Sequence, residues 1–201
     1  MGRNVQIPKE QILEAALNML RRDGYASINI TKLAQELGCS TQAISWKFGN
    51  MGNLRRELAD YALQYLNSKM MIEGETPMMA FLKVGLTYAD MAFDEPNLIR
   101  FLLNDEQQLK AGGGIGYIFA RERHTILCKR LSEQLHCSRE EAKKFMMTLI
   151  IYTQGLISML LSGALQLDRE TVHGMLKEVG VHYVISLGIP EAAAEKLLQL
   201  A

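Results

Sequence analysis

LAQELGCSTQAISWKFGNMGNL, Leu33 to Leu54, is the stretch whose reading decides the fold. Apolar residues at helical spacing run up to Leu37, and the chain breaks at Gly38, Cys39 and Ser40. A second helical run starts behind Ser40, a residue type that caps helices by accepting a bond from a free backbone N–H. Two short helices around a three-residue turn make a helix-turn-helix, whose second helix lies in the major groove when it reads DNA. Ala34, Ile44 and Phe48 are spaced to face inward and lock the pair. Thr41, Gln42, Ala43, Ser45, Trp46 and Lys47 are left outward. Gln42 suits an adenine edge, Thr41 or Ala43 a thymine methyl, and Lys47 a guanine or a phosphate. Ser40 and the free N–H groups at that helix start suit a phosphate oxygen. The plainer alternative is a helical corner with a solvated polar face. Trp46 weighs against it, because an outward indole on a short helix is an exposed apolar surface unless it meets a partner.

Outward from this stretch, helix signals recur and no run alternates with period two. The fold class expected is all-α. A first helix opens at Pro8, carries Ile12, Leu13, Ala16, Leu17 and Leu20 on one face, and stops at Gly24 behind Arg21 and Arg22. The second spans about 29–37 and buries Ile30, Leu33, Ala34 and Leu37, the third about 41–48. The fourth runs from near Met51 through Leu54, Leu58, Tyr61, Ala62 and Tyr65 to about Met71. After Glu73 to Pro77, helices are expected at about 77–93, 96–109, 115–135, 139–162, 169–187 and 190–200. Ser138 with Glu141 forms a capping box, Asp168 caps a helix, and Gly163 and Gly188 end helices. This predicts an N-terminal three-helix domain over residues 1–56 and a larger helical domain over 57–201. The fourth helix is expected to join them without a flexible linker.

The 201 residues, 48% apolar, can bury a full core, and 22 basic residues balance 22 acidic ones. The balance is uneven along the chain. Residues 1–56 hold eight basic and four acidic residues, so the positive charge gathers around the helix-turn-helix. Cys39, Cys128 and Cys137 show no paired spacing, which fits a reducing cytoplasm, and the N-terminus has no apolar signal core. The uncharged run Phe145 to Leu167 is long enough to cross a bilayer, but Thr148, Thr153, Gln154, Ser158 and Ser162 interrupt it. A helix buried on nearly all sides is the expected alternative, with no membrane partner. His124 with Cys128, and His136 with Cys137, raise a metal site without completing a ligand set. No metal, no cofactor and no enzyme activity is expected, since no nucleophile, base and orienting group stand at motif spacing.

In the larger region Phe81, Tyr88, Met91, Phe101, Tyr117 and Tyr152, with Leu82, Phe93, Phe119 and methionines 78, 79, 146 and 147, are core-forming types that collectively suit a pocket for a small apolar or aromatic effector. Lys110 to Tyr117, rich in glycine, reads as a lid, and fails as a phosphate loop for want of a following Lys-Ser/Thr. Thr148, Gly155, Ser158 and Ser162 place small residues along one helical stripe. Paired with the helix over 169–187, which carries His173 and Val184, this predicts a four-helix homodimer interface, with packing inside one subunit as the alternative.

The helix ending at Gly24, the segment ITKLAQELGCS, and Phe48 and Leu54 beyond the short third helix resemble the TetR family of bacterial transcription regulators. The match runs from Pro8 to about Leu58. More loosely, Tyr88 to Leu103 resembles the family's aromatic-Pro stretch and Tyr152 to Gly163 the start of its interface pair. The resemblance implies an N-terminal helix-turn-helix domain, then a helical effector-binding and dimerisation domain. It implies a ligand-responsive regulator of transcription, expected to be a repressor, that binds a palindromic operator in double-stranded DNA as a homodimer. Asn29, Thr31 and Asn50 complete the set expected to touch DNA. Two positions depart from the family: Ser45 stands where it carries a phosphate-contacting Tyr, and Met51 where it carries a phosphate-contacting Lys. Both lower the sequence-independent affinity, with Lys47, Arg55 and Arg56 as the compensating cations. The competing reading is a helical ligand- or protein-binding dimer that has lost specific DNA reading.

Overall fold

In the computed structural model of the chain, residues 7–70, 75–103 and 121–198 are described, the side chains of 121–124 excepted. These residues form ten α-helices and no strand: α1 Lys9–Asp23, α2 Ile30–Glu36, α3 Thr41–Phe48, α4 Met51–Lys69, α5 Pro77–Asp94, α6 Pro96–Leu103, α7 Arg121–Gln134, α8 Arg139–Ser162, α9 Arg169–Ser186 and α10 Glu191–Leu198. The described residues fall into two compact units, 7–68 with 95–103, and 69–94 with 121–198.

In the first unit α1 follows Pro8 and buries Ile12, Leu13, Ala16, Leu17, Met19 and Leu20, a stripe at the spacing that turns one helix face inward. It ends because Gly24 adopts φ +79°, a conformation that favours glycine, while its N–H donates to the Leu20 carbonyl at 2.9 Å. A short 3-10 turn at Tyr25–Ser27 follows, a feature with no sequence signal. α2 begins after Asn29 rather than at it, because the Asn29 side chain stands outside the helix and accepts from the Lys32 N–H at 2.9 Å. Only Leu33 and Ala34 of α2 are buried. Ile30 and Leu37, expected inside, are half-exposed, since a two-turn helix turns few positions onto the core.

The expected boundary at 56/57 cuts through α4. Leu58, Ala59, Ala62, Leu63 and Leu66 are buried, and α4 as far as Ser68 belongs with the first unit. α6 joins it from further along the chain and packs on α1. There Glu95 takes Arg21 Nε at 2.5 Å and Arg21 Nη2 at 3.1 Å, and accepts from the Tyr65 hydroxyl at 2.7 Å. Asn97 Nδ2 donates to the Arg21 carbonyl at 3.2 Å. The bond to Glu95 raises the Arg21 pKa, and partial burial with the Glu95 carboxylate raises that of Tyr65.

In the second unit α5 packs against α7, α8, α9 and α10. Phe145 of α8, fully buried, lies 5.6 Å from the Phe81 ring and 5.3 Å from the Tyr183 ring. Such a side chain contributes roughly 1.5–3 kcal/mol by leaving water. Ser138 and Glu141 form the capping box of α8, and Gly163 ends it in the left-handed conformation. Arg169 bonds Asp90 at 2.8 Å and Asp94 at 2.5 Å, and lowers the Asp94 pKa. α8 is long and apolar enough to cross a membrane by length and composition alone, with mean hydropathy 1.6. Eight of its 24 residues, Phe145 and Ile157 among them, are buried in this unit's core, while Met147, Ile151 and Met159 are exposed, so within the single chain it is not buried on nearly all sides.

Candidate nucleic-acid interface

The helix-turn-helix is built from three local devices. Gly38 adopts φ +61°, and the Cys39 N–H donates to the Ala34 carbonyl at 2.9 Å, which closes α2. Ser40 Oγ accepts from the Ala43 N–H at 3.2 Å, which starts α3. Ile44, fully buried, and Phe48, 4% exposed, then anchor one side of α3 in the first unit's core. With that side fixed, a helix of eight residues has to present the rest outward.

Thr41, Gln42, Trp46 and Lys47 are exposed, Ala43 and Ser45 half-exposed. Trp46 is 69% exposed, which for an indole leaves most of a large apolar surface in water. Asn29, Thr31, Ser40 and Asn50 are also exposed. Three of these carry structural bonds as well: Asn29 and Ser40 cap helices, and Asn50 Oδ1 accepts from the Asn53 N–H at 3.0 Å. The Ser40 oxygen is used as an acceptor, so its O–H is the group left to donate to an anion. The ten residues expected at DNA therefore all lie on or beside the solvent-facing side of α2, α3 and the turns around them.

Asn53 was not among them. Its Nδ2 donates to the Phe48 carbonyl at 2.8 Å and its Oδ1 accepts from Arg56 Nη2 at 2.9 Å. The preference of Asn for helix-start positions was the one available signal. Of the two adjacent arginines, Arg55 turns inward, 4.9 Å over the Tyr25 ring and 5.9 Å over that of Phe101, beside a cleft of about 230 Å³. Arg56 is exposed.

The residues expected around an effector are divided. Phe81, Tyr88 and Met91 are nearly buried in the second unit, Tyr152 is half-exposed, and the Tyr88 hydroxyl donates to Gln154 Oε1 at 3.1 Å. Burial pushes the Tyr88 pKa well above its ordinary value. Phe101 belongs instead to the first unit, where its ring stacks on Tyr25 at 4.9 Å. Tyr117, Phe119 and the glycine-rich segment 110–117 lie outside the described residues, as does the His124 side chain. Among the described residues no three His, Cys, Asp or Glu gather as metal ligands.

Along α8, Thr148, Gly155, Ser158 and Ser162 are exposed and share that face with Met147, Ile151 and Met159, of which Ile151 is 64% exposed. On α9, His173 is half-buried with Nε2 2.8 Å from Asp90 Oδ1. Val184 is fully buried in its own unit, so the expectation that it faces a partner is corrected: its helix position points it into the core.

Residues 12–58 match the family model of the bacterial regulatory proteins of the tetR family. No curated protein matches the sequence significantly. Among solved structures the chain is similar to a TetR-like transcriptional regulator from Rhodococcus sp. RHA1, with TM-score 0.58 at 11% identity over 89% of this chain and 95% of that one. It is also similar to a TetR variant from Acinetobacter baumannii AYE in complex with minocycline, with TM-score 0.54 at 16% identity over 96% of this chain and 99% of that one. At such identities the likeness establishes the fold. The match identifies residues 12–58 as a tetR-type regulatory segment, and the chain as a whole shares the fold of these TetR-like structures.

Proposed function

We propose that this regulator is a cytoplasmic repressor that binds a palindromic operator as a homodimer and is controlled by a small apolar or aromatic effector. The observation that carries the DNA half of this reading is the outward side of α3. Trp46 and Lys47 stand in solvent there beside Thr41 and Gln42, while Ile44 and Phe48 hold the helix down. An indole, an amide, a hydroxyl and an ammonium on one short helix match the donors, acceptors and methyl groups of a major groove.

Dimerisation is supported by the exposed face of α8. Met147, Ile151 and Met159 alternate there with Thr148, Gly155, Ser158 and Ser162, an apolar surface with small residues that lets a second helix approach closely. Effector binding is supported by Phe81, Tyr88, Met91 and Tyr152 in the second unit, where methionine lets a core adapt to a guest. Because three of the four are nearly buried, an effector enters by opening that core. α4 starts beside the recognition helix and reaches the unit boundary at Ser68, which makes it the element through which an effector would alter the spacing of two reading heads.

The test is selection of bound duplexes from a random-sequence pool with the full-length protein. The expected result is an enriched inverted repeat with half-sites about one helical turn, or a multiple of it, apart. Enrichment of no sequence would leave a helical ligand- or protein-binding dimer in its place.

A further inference from the structure

We infer that Arg56 is a DNA-backbone contact, its guanidinium held at the C-terminal end of the recognition helix to receive a phosphate oxygen. The inference rests on the DNA-binding reading of α3. Asn53 joins the two parts: its amide donates to the carbonyl of Phe48, the last residue of α3, and its amide oxygen accepts from Arg56 Nη2. Asn50 in turn accepts from the Asn53 N–H and fixes the turn between the helices. The position of the Arg56 head group is thus tied to the end of α3 through one side chain.

Arg56 is exposed, and among the described residues it forms no ion pair; its one bond to Asn53 uses one of five N–H groups in a planar fork. Such a fork matches a phosphate, and fixing it beforehand lowers the entropy lost on contact. The residue sits on α4 and not on the helix that enters the groove, and cations flanking a recognition helix meet the backbone rather than base edges. Its neighbour Arg55 cannot share the task, with its guanidinium over the Tyr25 and Phe101 rings.

The experiment compares the wild-type protein with Arg56→Ala, Arg56→Gln and Arg56→Lys across a salt series, on the selected duplex and on a random-sequence duplex. Removing one phosphate contact should flatten the plot of log binding constant against log salt by about 0.9 per half-site, and weaken binding roughly eightfold per half-site at about 0.1 M salt. The loss should be equal on both duplexes, and Arg56→Lys should keep the wild-type slope. Unaltered melting and circular dichroism would show that the fold is intact, and Arg56→Gln serves if the alanine variant melts early. An unchanged slope, or a loss confined to the selected sequence, overturns the inference while the regulator reading stands. Wild-type protein that binds neither duplex overturns the regulator reading itself.

Discussion

α3 and α8 each bury one side in their own unit and leave large apolar side chains on the other, yet the company those side chains keep differs. On α3, Trp46 stands among Thr41, Gln42 and Lys47, groups that form hydrogen bonds and carry charge. On α8, Met147, Ile151 and Met159 stand among Thr148, Gly155, Ser158 and Ser162, which are small and uncharged. Exposure of apolar surface says only that a partner is expected. The neighbours say which one: polar, cationic neighbours suit a nucleic acid, and small ones suit another helix.

The comparison breaks most readily on α8. In the proposed homodimer, Ile151→Asp would put a carboxylate into the interface from each chain, so the dimer dissociation constant should rise on the order of a thousandfold, from about 2 kcal/mol at each of two positions. Sedimentation equilibrium would show the monomer, whereas an unchanged dimer would assign this face another role. Lys47→Ala sharpens the α3 side. It should weaken DNA binding by about 1–3 kcal/mol if Lys47 reads a base, and relax sequence preference at one position. A loss uniform across sequences would place Lys47 on a phosphate. A change touching neither face calibrates both: Glu95→Ala strips Arg21 and Tyr65 of their shared acceptor, and should lower unfolding free energy by about 1–2 kcal/mol in denaturant melts. Equal stability would show the cluster to be solvated ornament.

What the sequence made legible was local. Ser40, Ser138 and Asp168 announced helix starts, Gly24 and Gly163 announced ends, and the inward spacing of Ile44 and Phe48 fixed which side of α3 faces water. What it hid depends on contacts between distant residues. Arg21 and Glu95 meet across 74 positions, a pairing no short window contains, and it belongs to the return of α6 that draws Phe101 to Tyr25 in the first unit. Val184 failed for a related reason: periodicity marks apolar positions on α9, but cannot say whether they face the protein's own core or a partner.

Trp46 is the sole tryptophan, so its emission reports on the outward side of α3 alone. Titrating the full-length protein with the selected duplex should change that emission, saturate at two chains per duplex and fade as salt rises. Emission that stays constant while anisotropy of a labelled duplex records binding would mean that DNA meets some other surface, and would contradict the account of α3.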